Sequence, residues 1–276
     1  MMIEKDNNTL TGPERLQAYE DNWQTEMGAW FPGERVVLRG KDVFSELNSY
    51  SWMEYLYYAV TGVHSPKNAQ IIEGLWVLST SFPDPRLWNN RVAALAGTAR
   101  STGALAVAAG IATSEATIYG LKPIKQALEF LYKAYEQIET GTSIETIIKQ
   151  ELKINRSVSG YGRPLIERDE RIAPVLSFLT DSRSEQNKFL NLALDIDDYF
   201  KNSRYKYRIN IAAINAAIAA DAGLTVDENY YIATLAFTAG MLPCYIDSKT
   251  QPQGSFFPLS VNRINSTSHT VRNWGG

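Results

Sequence analysis

The stretch KPIKQALEFLYKAYEQIETG, residues 122–141, has the apolar spacing of an amphipathic α-helix. Its apolar side chains recur at three- and four-residue steps: Ile124, Leu128, Leu131, Tyr135 and Ile138. This spacing places them on one face of a helix. Pro123 near the start and Gly141 after the last apolar position are typical of the two ends of a helix. We therefore predict a helix that buries one face against the rest of the chain.

Other segments carry helix signals of the same kind. Ser51 and Glu54 have the spacing of a capping box, in which a hydroxyl and a carboxylate satisfy the first amides of a helix. The stretch SEQNKFLNLALDIDDYFKN, residues 184–202, repeats the amphipathic spacing. Only residues 34–40 and 255–264 have the pattern of extended chain. We predict an all-α fold.

The composition argues against several classes of protein. The 276 residues are 45% hydrophobic and 21% charged, which is ordinary for a globular protein. A net charge of −3 and a pI near 5.6 do not suit a nucleic-acid-binding surface. The single cysteine, Cys244, cannot form an intrachain disulfide, which favours a reducing compartment.

No segment has the pattern of a signal peptide or a membrane span. The opening MMIEKDNNTL lacks the apolar core of a signal peptide. The longest uncharged run, residues 229–246, is 18 residues long but contains Pro243, and its length is near the lower limit for a span. We interpret it as a buried helix. We therefore expect a cytoplasmic protein with neither a membrane nor a nucleic-acid partner.

Two segments are dominated by alanine and glycine. They are RVAALAGTARSTGALAVAAGIA, residues 91–112, and INIAAINAAIAADAG, residues 209–223. Small side chains let helix backbones approach closely, so we expect both segments to be central helices that are buried all round. Such helices occur in the core of a domain and equally in the core of a subunit interface. Both alternatives stay open.

Five segments follow one another in a recognisable order. They are RVVLRGKDVFSELNSYSWMEYLYYAVTGVHSP (35–66), the alanine-rich segment 91–112, GYGRP (160–164) followed by Asp169-Glu-Arg171, NIAAINAAIAADAG (210–223) and YYIATLAFTAGMLPCYID (230–247). In this order and spacing they resemble the citrate synthase superfamily, specifically its short citryl-CoA lyase-like branch. The resemblance extends from about residue 34 to the end of the sequence.

This resemblance implies a large helical domain with a smaller helical domain over a cleft. We assign residues 34–122 and 210–276 to the large domain, 123–209 to the small one, and 1–33 to an N-terminal segment. The resemblance also implies a homodimer and chemistry on a CoA thioester. In the family an aspartate removes a proton from the thioester, histidines stabilise the enolate and assist at the ketone, and arginines hold substrate carboxylates. Such a reaction needs a base and a fixed donor for the developing negative charge.

Most positions that match the family's catalytic residues are altered in this sequence. Tyr119 in Ile-Tyr-Gly-Leu stands where the first histidine is expected, and Arg163 replaces the second. The aspartate is replaced by Ala212, and a carboxylate-binding arginine by Phe237. Arg171 alone keeps a residue type that the pattern expects. Because alanine cannot accept a proton, the usual reaction on oxaloacetate and acetyl-CoA is not expected.

Tyr119 and Arg163 are the candidate catalytic residues, and Arg171 is the candidate substrate-binding residue. The Tyr119 hydroxyl can donate to an enolate oxygen, or it can be an ordinary packed tyrosine. The Arg163 guanidinium can bind a carboxylate or phosphate with two hydrogen bonds. The alternative for Arg163 is an ion pair with Glu167 or Asp169.

A basic and aromatic segment, KNSRYKYR at residues 201–208, is the candidate site for the phosphates and adenine of coenzyme A. Its cationic residues are Lys201, Arg204, Lys206 and Arg208. The alternative interpretation is a solvated basic loop.

Carboxylates that could replace the missing base are present. Glu115 lies four residues before Tyr119, and Asp195, Asp197 and Asp198 form an acidic cluster on a helix. No histidine stands at ligand spacing to that cluster, so we expect no metal. We interpret the cluster as a helix face exposed to water.

Three hypotheses about function follow. The first is a divergent enzyme, a CoA-dependent acyltransferase or lyase of the citrate synthase type, acting on a CoA thioester and a small carboxylic acid. The second is a non-catalytic subunit that forms a heteromer with an active homologue. The third is a binding module for an acyl-CoA or a small acid. The sequence favours the first hypothesis, a divergent enzyme, because the charged loop from Arg163 to Arg171 suits an anionic ligand.

Overall fold

Most of the regular structure in the protein is α-helical. The computed structural model describes residues 11–22, 25–79, 83–117, 119–163, 169–179, 187–205 and 207–263. Within these ranges the strands form only one small sheet. The prediction of an all-α fold is confirmed. The chain divides into two compact units, Met1–Pro66 and Lys67–Gly276. The division into domains at residues 123 and 210 stays a prediction.

The first unit combines the small sheet with short helices. Its elements are α1 (Pro13–Gln17), β1 (Gly28–Phe31), β2 (Arg35–Leu38), β3 (Lys41–Asp42) and α2 (Trp52–Thr61). The strands are antiparallel in the order β1-β2-β3, with Gly28 opposite Leu38 and Val37 opposite Asp42. The predicted extended segment at 34–40 is confirmed as β2. The predicted capping box is also present, since the Ser51 side chain accepts from the Glu54 amide and the Glu54 carboxylate accepts from the Ser51 amide.

The second unit is built from the remaining helices. They are α3 (Pro66–Ser79), α4 (Trp88–Thr98), α5 (Gly103–Ser114), α6 (Leu121–Glu139), α7 (Ile144–Asn155), α8 (Ile172–Phe178), α9 (Lys188–Asn202), α10 (Ile211–Asp221), α11 (Val226–Ala236) and α12 (Thr238–Thr250). Helix α6 packs against α7, α9, α10 and α11, while α4, α5 and α12 pack against one another. Helix α6 is the helix predicted from its apolar spacing, and Ile124, Leu128 and Leu131 are buried as expected.

The two alanine-rich segments differ in their burial. Eight of the eleven residues of α10 are buried, so the prediction of a central helix is confirmed there. Segment 91–112 is not one helix, because Arg100 adopts a left-handed backbone conformation between α4 and α5. Helix α5 buries only Ala106, Gly110 and Ser114, and Leu105 is 62% exposed. Within one chain this segment is not buried all round, since α4 and α12 cover only part of α5, and the alternative of a subunit interface stays open.

Two further sequence predictions are corrected. Residues 229–246 do not form a single helix, because α11 ends at Ala236 and α12 begins at Thr238. The predicted extended tail forms no strand in its described part, residues 255–263, where Pro258 has no amide to donate to a sheet. A short 3-10 helix, Val261–Arg263, follows. No helix in the described ranges has the length and apolar character needed to cross a bilayer.

Candidate active site

The Gly-x-Gly loop is attached to the start of α10 through its backbone. The Gly162 amide donates to the Arg208 carbonyl at 2.7 Å, and the Asn210 amide donates to the Gly160 carbonyl at 2.9 Å. The Asn210 side chain caps α10 by accepting from the Ala212 amide, and it donates to the Gly162 carbonyl. Both glycines have φ of +90°, and a Cβ on Gly160 would lie 2.6 Å from the Cβ of Ala213. The glycines therefore let this loop lie directly on α10.

Three of the altered catalytic positions lie around one apolar cluster. Phe237 is a buried member of this cluster, together with Leu121 and Met241, and Tyr119 and Ala212 pack against it. The Tyr119 and Phe237 rings meet edge to face, with centroids 6.3 Å apart. We call this group the Tyr119 cluster. The fold thus brings together the positions that the resemblance assigns to a histidine, an aspartate and an arginine, and here they are a phenol and two apolar side chains.

The Tyr119 hydroxyl has a defined partner within the protein. It donates a hydrogen bond to the Asn89 side-chain oxygen at 3.1 Å, and Asn89 is itself buried. Burial raises the pKa of Tyr119, and the positive charge of Arg171 opposes this shift. The phenol is therefore neutral near pH 7 and is available as a hydrogen-bond donor. Its packing agrees with the alternative that Tyr119 is an ordinary packed tyrosine. Its role as a hydrogen-bond donor to a ligand stays a prediction.

Arg171 is held by a buried carboxylate. Its guanidinium makes two hydrogen bonds to Asp169, each 2.8 Å long, and a third to the Ser79 carbonyl at 2.7 Å. Asp169 also accepts a hydrogen bond from the Ile211 amide at the start of α10. Burial alone would raise the pKa of Asp169, but the hydrogen bonds and charge of Arg171, together with the Ile211 amide, lower it overall. Asp169 therefore joins Arg171 to the start of α10 as an ionised carboxylate.

Arg163 lies beside the same carboxylate. Its guanidinium is 2.6 Å from the Glu170 carboxylate and 3.6 Å from Asp169. The alternative interpretation of Arg163 from the sequence was an ion pair with Glu167 or Asp169. The structure shows the pair with Asp169, and Glu167 lies outside the described residues. The charges of these two arginines are matched by those of Asp169 and Glu170. A ligand carboxylate must therefore share the guanidinium groups with protein carboxylates.

The four cations of the candidate CoA segment are not equivalent. Lys201 and Arg204 are exposed at the end of α9, and Arg204 lies over the Tyr205 ring at 5.0 Å. Arg208 is directed to Asp197, with hydrogen bonds of 3.1 and 2.9 Å. Lys206 lies outside the described residues.

The acidic cluster on α9 is not a uniformly exposed face. Asp195 and Asp198 are exposed, but Asp197 is buried between Arg208 and the Ile209 amide. The prediction of an exposed helix face was therefore wrong for Asp197, because the chain after α9 folds back over it. Among the described residues, no group of three or more histidine, cysteine, aspartate or glutamate side chains is arranged to hold a metal.

Glu115 is anchored beside the Tyr119 cluster. Its carboxylate accepts a hydrogen bond from the Tyr230 hydroxyl, and Tyr230 packs against the cluster. Lys125 lies 4.8 Å from the centroid of the Tyr230 ring and forms an ion pair with Asp227. Glu115 was a candidate from the sequence, but Tyr230 and Asn89 were missed. Asn89 lies in none of the recognised segments, and Tyr230 lies in one of them but matches none of the catalytic positions that the resemblance assigns.

The sequence and the structure were compared with those of known proteins. No family model matches the sequence, and no curated protein matches it. The structure is similar to citryl-CoA lyase from Hydrogenobacter thermophilus, with a TM-score of 0.77 and 17% identity over 92% of this chain and 98% of that one. It is also similar to ATP citrate lyase from Methanothrix soehngenii in complex with citrate and coenzyme A (TM-score 0.73, 16% identity, 95% of this chain and 45% of that one).

A third solved structure has a lower similarity. Citrate synthase from Thermotoga maritima superposes with a TM-score of 0.62 and 13% identity, over 80% of this chain and 60% of that one. This chain therefore spans nearly the full length of the lyase and less than half of the ATP citrate lyase chain. The likenesses show that the protein has the citrate synthase-like helical fold in its citryl-CoA lyase-like form, which confirms the fold expected from the sequence.

Proposed function

We propose that this protein acts on a CoA thioester and a small carboxylic acid beside the Tyr119 cluster. It would make or break a carbon–carbon bond with residues other than a histidine–aspartate pair. The observation that carries the proposal is that Tyr119, Ala212 and Phe237 meet at one cluster. The positive charge of Arg171, which opposes the rise in the pKa of Tyr119, supports it. Solved proteins of the same fold are named for citrate and coenzyme A, which supports this choice of ligands.

The chemistry assigns separate roles to the phenol, the guanidinium and a carboxylate. The Tyr119 hydroxyl would leave Asn89 and donate to the thioester oxygen, where negative charge develops when the α-proton is removed. Arg171 would bind the carboxylic acid. Because Ala212 cannot take the proton, Glu115 is the candidate base, with Tyr230 fixing its carboxylate.

The CoA moiety would extend towards the end of α9. Lys201 and Arg204 are exposed there, and the Tyr205 and Tyr207 rings lie nearly parallel with centroids 6.3 Å apart. Exposed cations suit phosphates, and parallel aromatic rings suit an adenine base. Arg208 would contribute by holding this segment against Asp197.

A second candidate function is binding of an acyl-CoA without turnover. The observation that favours it is the contact between Arg171 and Asp169, which occupies the guanidinium with a protein carboxylate. Phe237 adds an apolar surface at a position where the resemblance expects an arginine. A thioester with a short apolar acyl group suits such a surface better than citrate does, since burying an unpaired charge is costly.

One experiment separates the two candidates. Acetyl-CoA and citryl-CoA are offered to the wild type and to the Glu115→Gln, Tyr119→Phe and Tyr199→Phe variants. Binding of both thioesters is followed, together with cleavage of citryl-CoA to acetyl-CoA and oxaloacetate. For the enzyme we expect cleavage by the wild type and the Tyr199→Phe control, and its loss in Glu115→Gln. Binding without cleavage, in the wild type and in every variant, supports the binding module. If neither thioester binds the wild type, both candidates fail.

We also propose that the chain forms a homodimer through α4, α5 and α12. Each of these mutually packed helices exposes large apolar side chains, namely Leu95, Leu105, Leu242 and Ile246. Exposed apolar surface of this kind is typical of a subunit interface. A second copy of this chain offers the same apolar surface. The alternative, a heteromer with an active homologue, requires a partner that has a matching apolar surface.

A further inference from the structure

A cavity of about 40 Å³ lies between α3, α6, α10 and α11. Its walls are almost entirely apolar, with contributions from Ile72, Leu75, Trp76, Ile124, Ile218 and Ile232. Three alanines and two asparagines complete the lining: Ala219, Ala233, Ala236, Asn215 and Asn229. Trp76, Asn215 and Ala233 are half-buried, whereas the isoleucines are buried. The half-buried residues mark the side on which the cavity approaches the surface.

Both asparagines that line this cavity carry a side-chain atom that is unpaired within the described residues. Within the described part of the chain, neither the Asn215 side-chain oxygen nor the Asn229 side-chain nitrogen has a hydrogen-bond partner. Asn229 is only 8% exposed. The Asn215 nitrogen donates to the Ser79 hydroxyl at 3.4 Å, so the unpaired atom of this amide is its oxygen. Buried polar groups in proteins are nearly always paired, so an unpaired acceptor and an unpaired donor that line one cavity fit bound water or a small polar ligand.

The walls define the chemistry of that molecule. None of the described residues that line the cavity is charged, so a charged ligand would be buried there without a counter-ion. The ligand must offer a donor to Asn215 and an acceptor to Asn229, and it must also cover apolar surface. A space of 40 Å³ corresponds to about three water molecules, which limits the ligand to a few non-hydrogen atoms.

We infer that this cavity is a binding site for a small uncharged molecule with a carboxamide-like donor and acceptor next to a short alkyl group. A primary amide such as propionamide has this chemistry. The side chains proposed for the reaction, Arg171, Arg163, Tyr119 and Glu115, do not line the cavity, although two of its wall residues, Ile124 and Ala233, also belong to or pack against the Tyr119 cluster. Propionamide binding and thioester turnover are measured separately, so failure of one proposal is distinguishable from failure of the other.

The test uses three probes of similar shape, and binding to the full chain is followed by ligand-observed NMR and calorimetry. Propionamide carries both the donor and the acceptor, butanone lacks the donor, and propionate is charged. We expect saturable binding of propionamide, binding of butanone that is weaker by about tenfold or more, and no binding of propionate at this site. Leucine substitutions at Asn215 and Asn229 should each weaken propionamide binding by about tenfold or more.

Matched controls separate binding from folding. Gln137→Leu makes the same change at a second cavity, of about 10 Å³, where the Gln137 side-chain oxygen is also unpaired within the described residues. This variant should bind propionamide like the wild type. Ala233→Leu keeps both asparagines but fills the first cavity, so it should abolish binding even if the asparagine variants fail to fold. The inference is overturned if propionamide does not bind the wild type, so that the cavity holds only water, or if Ala233→Leu binds it unchanged.

Discussion

Replacing Arg171 with alanine should destabilise the protein far more than replacing Arg163. The Asp169 side chain is fully buried, and Arg171 supplies two of its hydrogen bonds while remaining only 20% exposed. Arg171→Ala removes both of these hydrogen bonds and the nearer counter-charge, and leaves the buried carboxylate with Arg163 at 3.6 Å. The closest partner of Arg163 is Glu170, at 2.6 Å, which is 60% exposed and can return to water.

The size of the effect follows from this difference in burial. Removing one partner of a buried ion pair typically costs about 3–5 kcal/mol. The Ile211 amide still donates to Asp169 in the variant, so we expect a loss near the lower end, about 3 kcal/mol. An exposed pair contributes about 1 kcal/mol or less, which sets the expectation for Arg163→Ala.

The free energy of unfolding is measured by urea titration for the wild type, both single variants and the Arg171→Ala/Asp169→Asn double variant. In the double variant the buried charge is gone. Part of the loss should therefore be recovered relative to Arg171→Ala. This recovery distinguishes the effect of an unpaired carboxylate from a general loss of packing around Arg171.

The pH dependence gives a second check on the same pair. The lowered pKa of Asp169 contributes stability that is present above its ordinary value of 3.8 and is lost as the pH falls below that value. In Arg171→Ala, burial acts without the guanidinium and should raise the pKa of Asp169. The difference in stability between wild type and variant should therefore begin to shrink above pH 3.8, as the pH falls through the raised pKa of Asp169 in the variant, and should continue to shrink as the pH falls through the lowered pKa in the wild type. Equal losses for Arg163→Ala and Arg171→Ala, or a difference that does not change with pH, would refute this reasoning.

Three other changes give clear expectations. Gly160→Ala should destabilise the protein by about 2–4 kcal/mol, from backbone strain together with the clash with Ala213. Gly141 has a similar φ but no neighbour within 4 Å, so Gly141→Ala should cost only the strain, about 1–2 kcal/mol. Equal losses in urea titrations would contradict the contact between the Gly-x-Gly loop and α10. Leu105→Glu should convert a dimer to a monomer by light scattering, and a monomeric wild type would disprove the proposed interface. With Ala212 in place of the base, acetyl-CoA and oxaloacetate should release no CoA above background, and turnover on the order of 1 s⁻¹ would show that another base serves the usual reaction.

Helices could be predicted from the sequence where apolar residues recur at regular intervals. The prediction failed where that spacing is absent. Helix α6 has large side chains at regular intervals, which identify both the helix and its buried face. Segment 91–112 is mostly alanine, which is compatible with both buried and exposed positions, so its sequence could not show that α5 has an open face. The break at Arg100 was missed because a left-handed conformation is uncommon for arginine.

The candidate site could be predicted in part for a related reason. The order of motifs identified the positions of Tyr119, Ala212 and Phe237, and the fold brings these positions to one cluster. The pairing of Arg208 with Asp197 was missed, because it joins residues eleven positions apart across the end of α9. Pairings of this kind depend on how a loop folds back onto a helix, which residue spacing alone does not determine.

The most direct test of the proposed function is a calorimetric titration of acetyl-CoA into the wild type and into Tyr119→Phe. If the Tyr119 cluster receives the thioester, the wild type should bind one acetyl-CoA per chain. Loss of the phenol hydroxyl should then weaken binding by about three- to tenfold, the usual effect of one hydrogen bond. Absence of saturable binding to the wild type, or identical affinities for the two proteins, would contradict the assignment of this cluster to a CoA thioester.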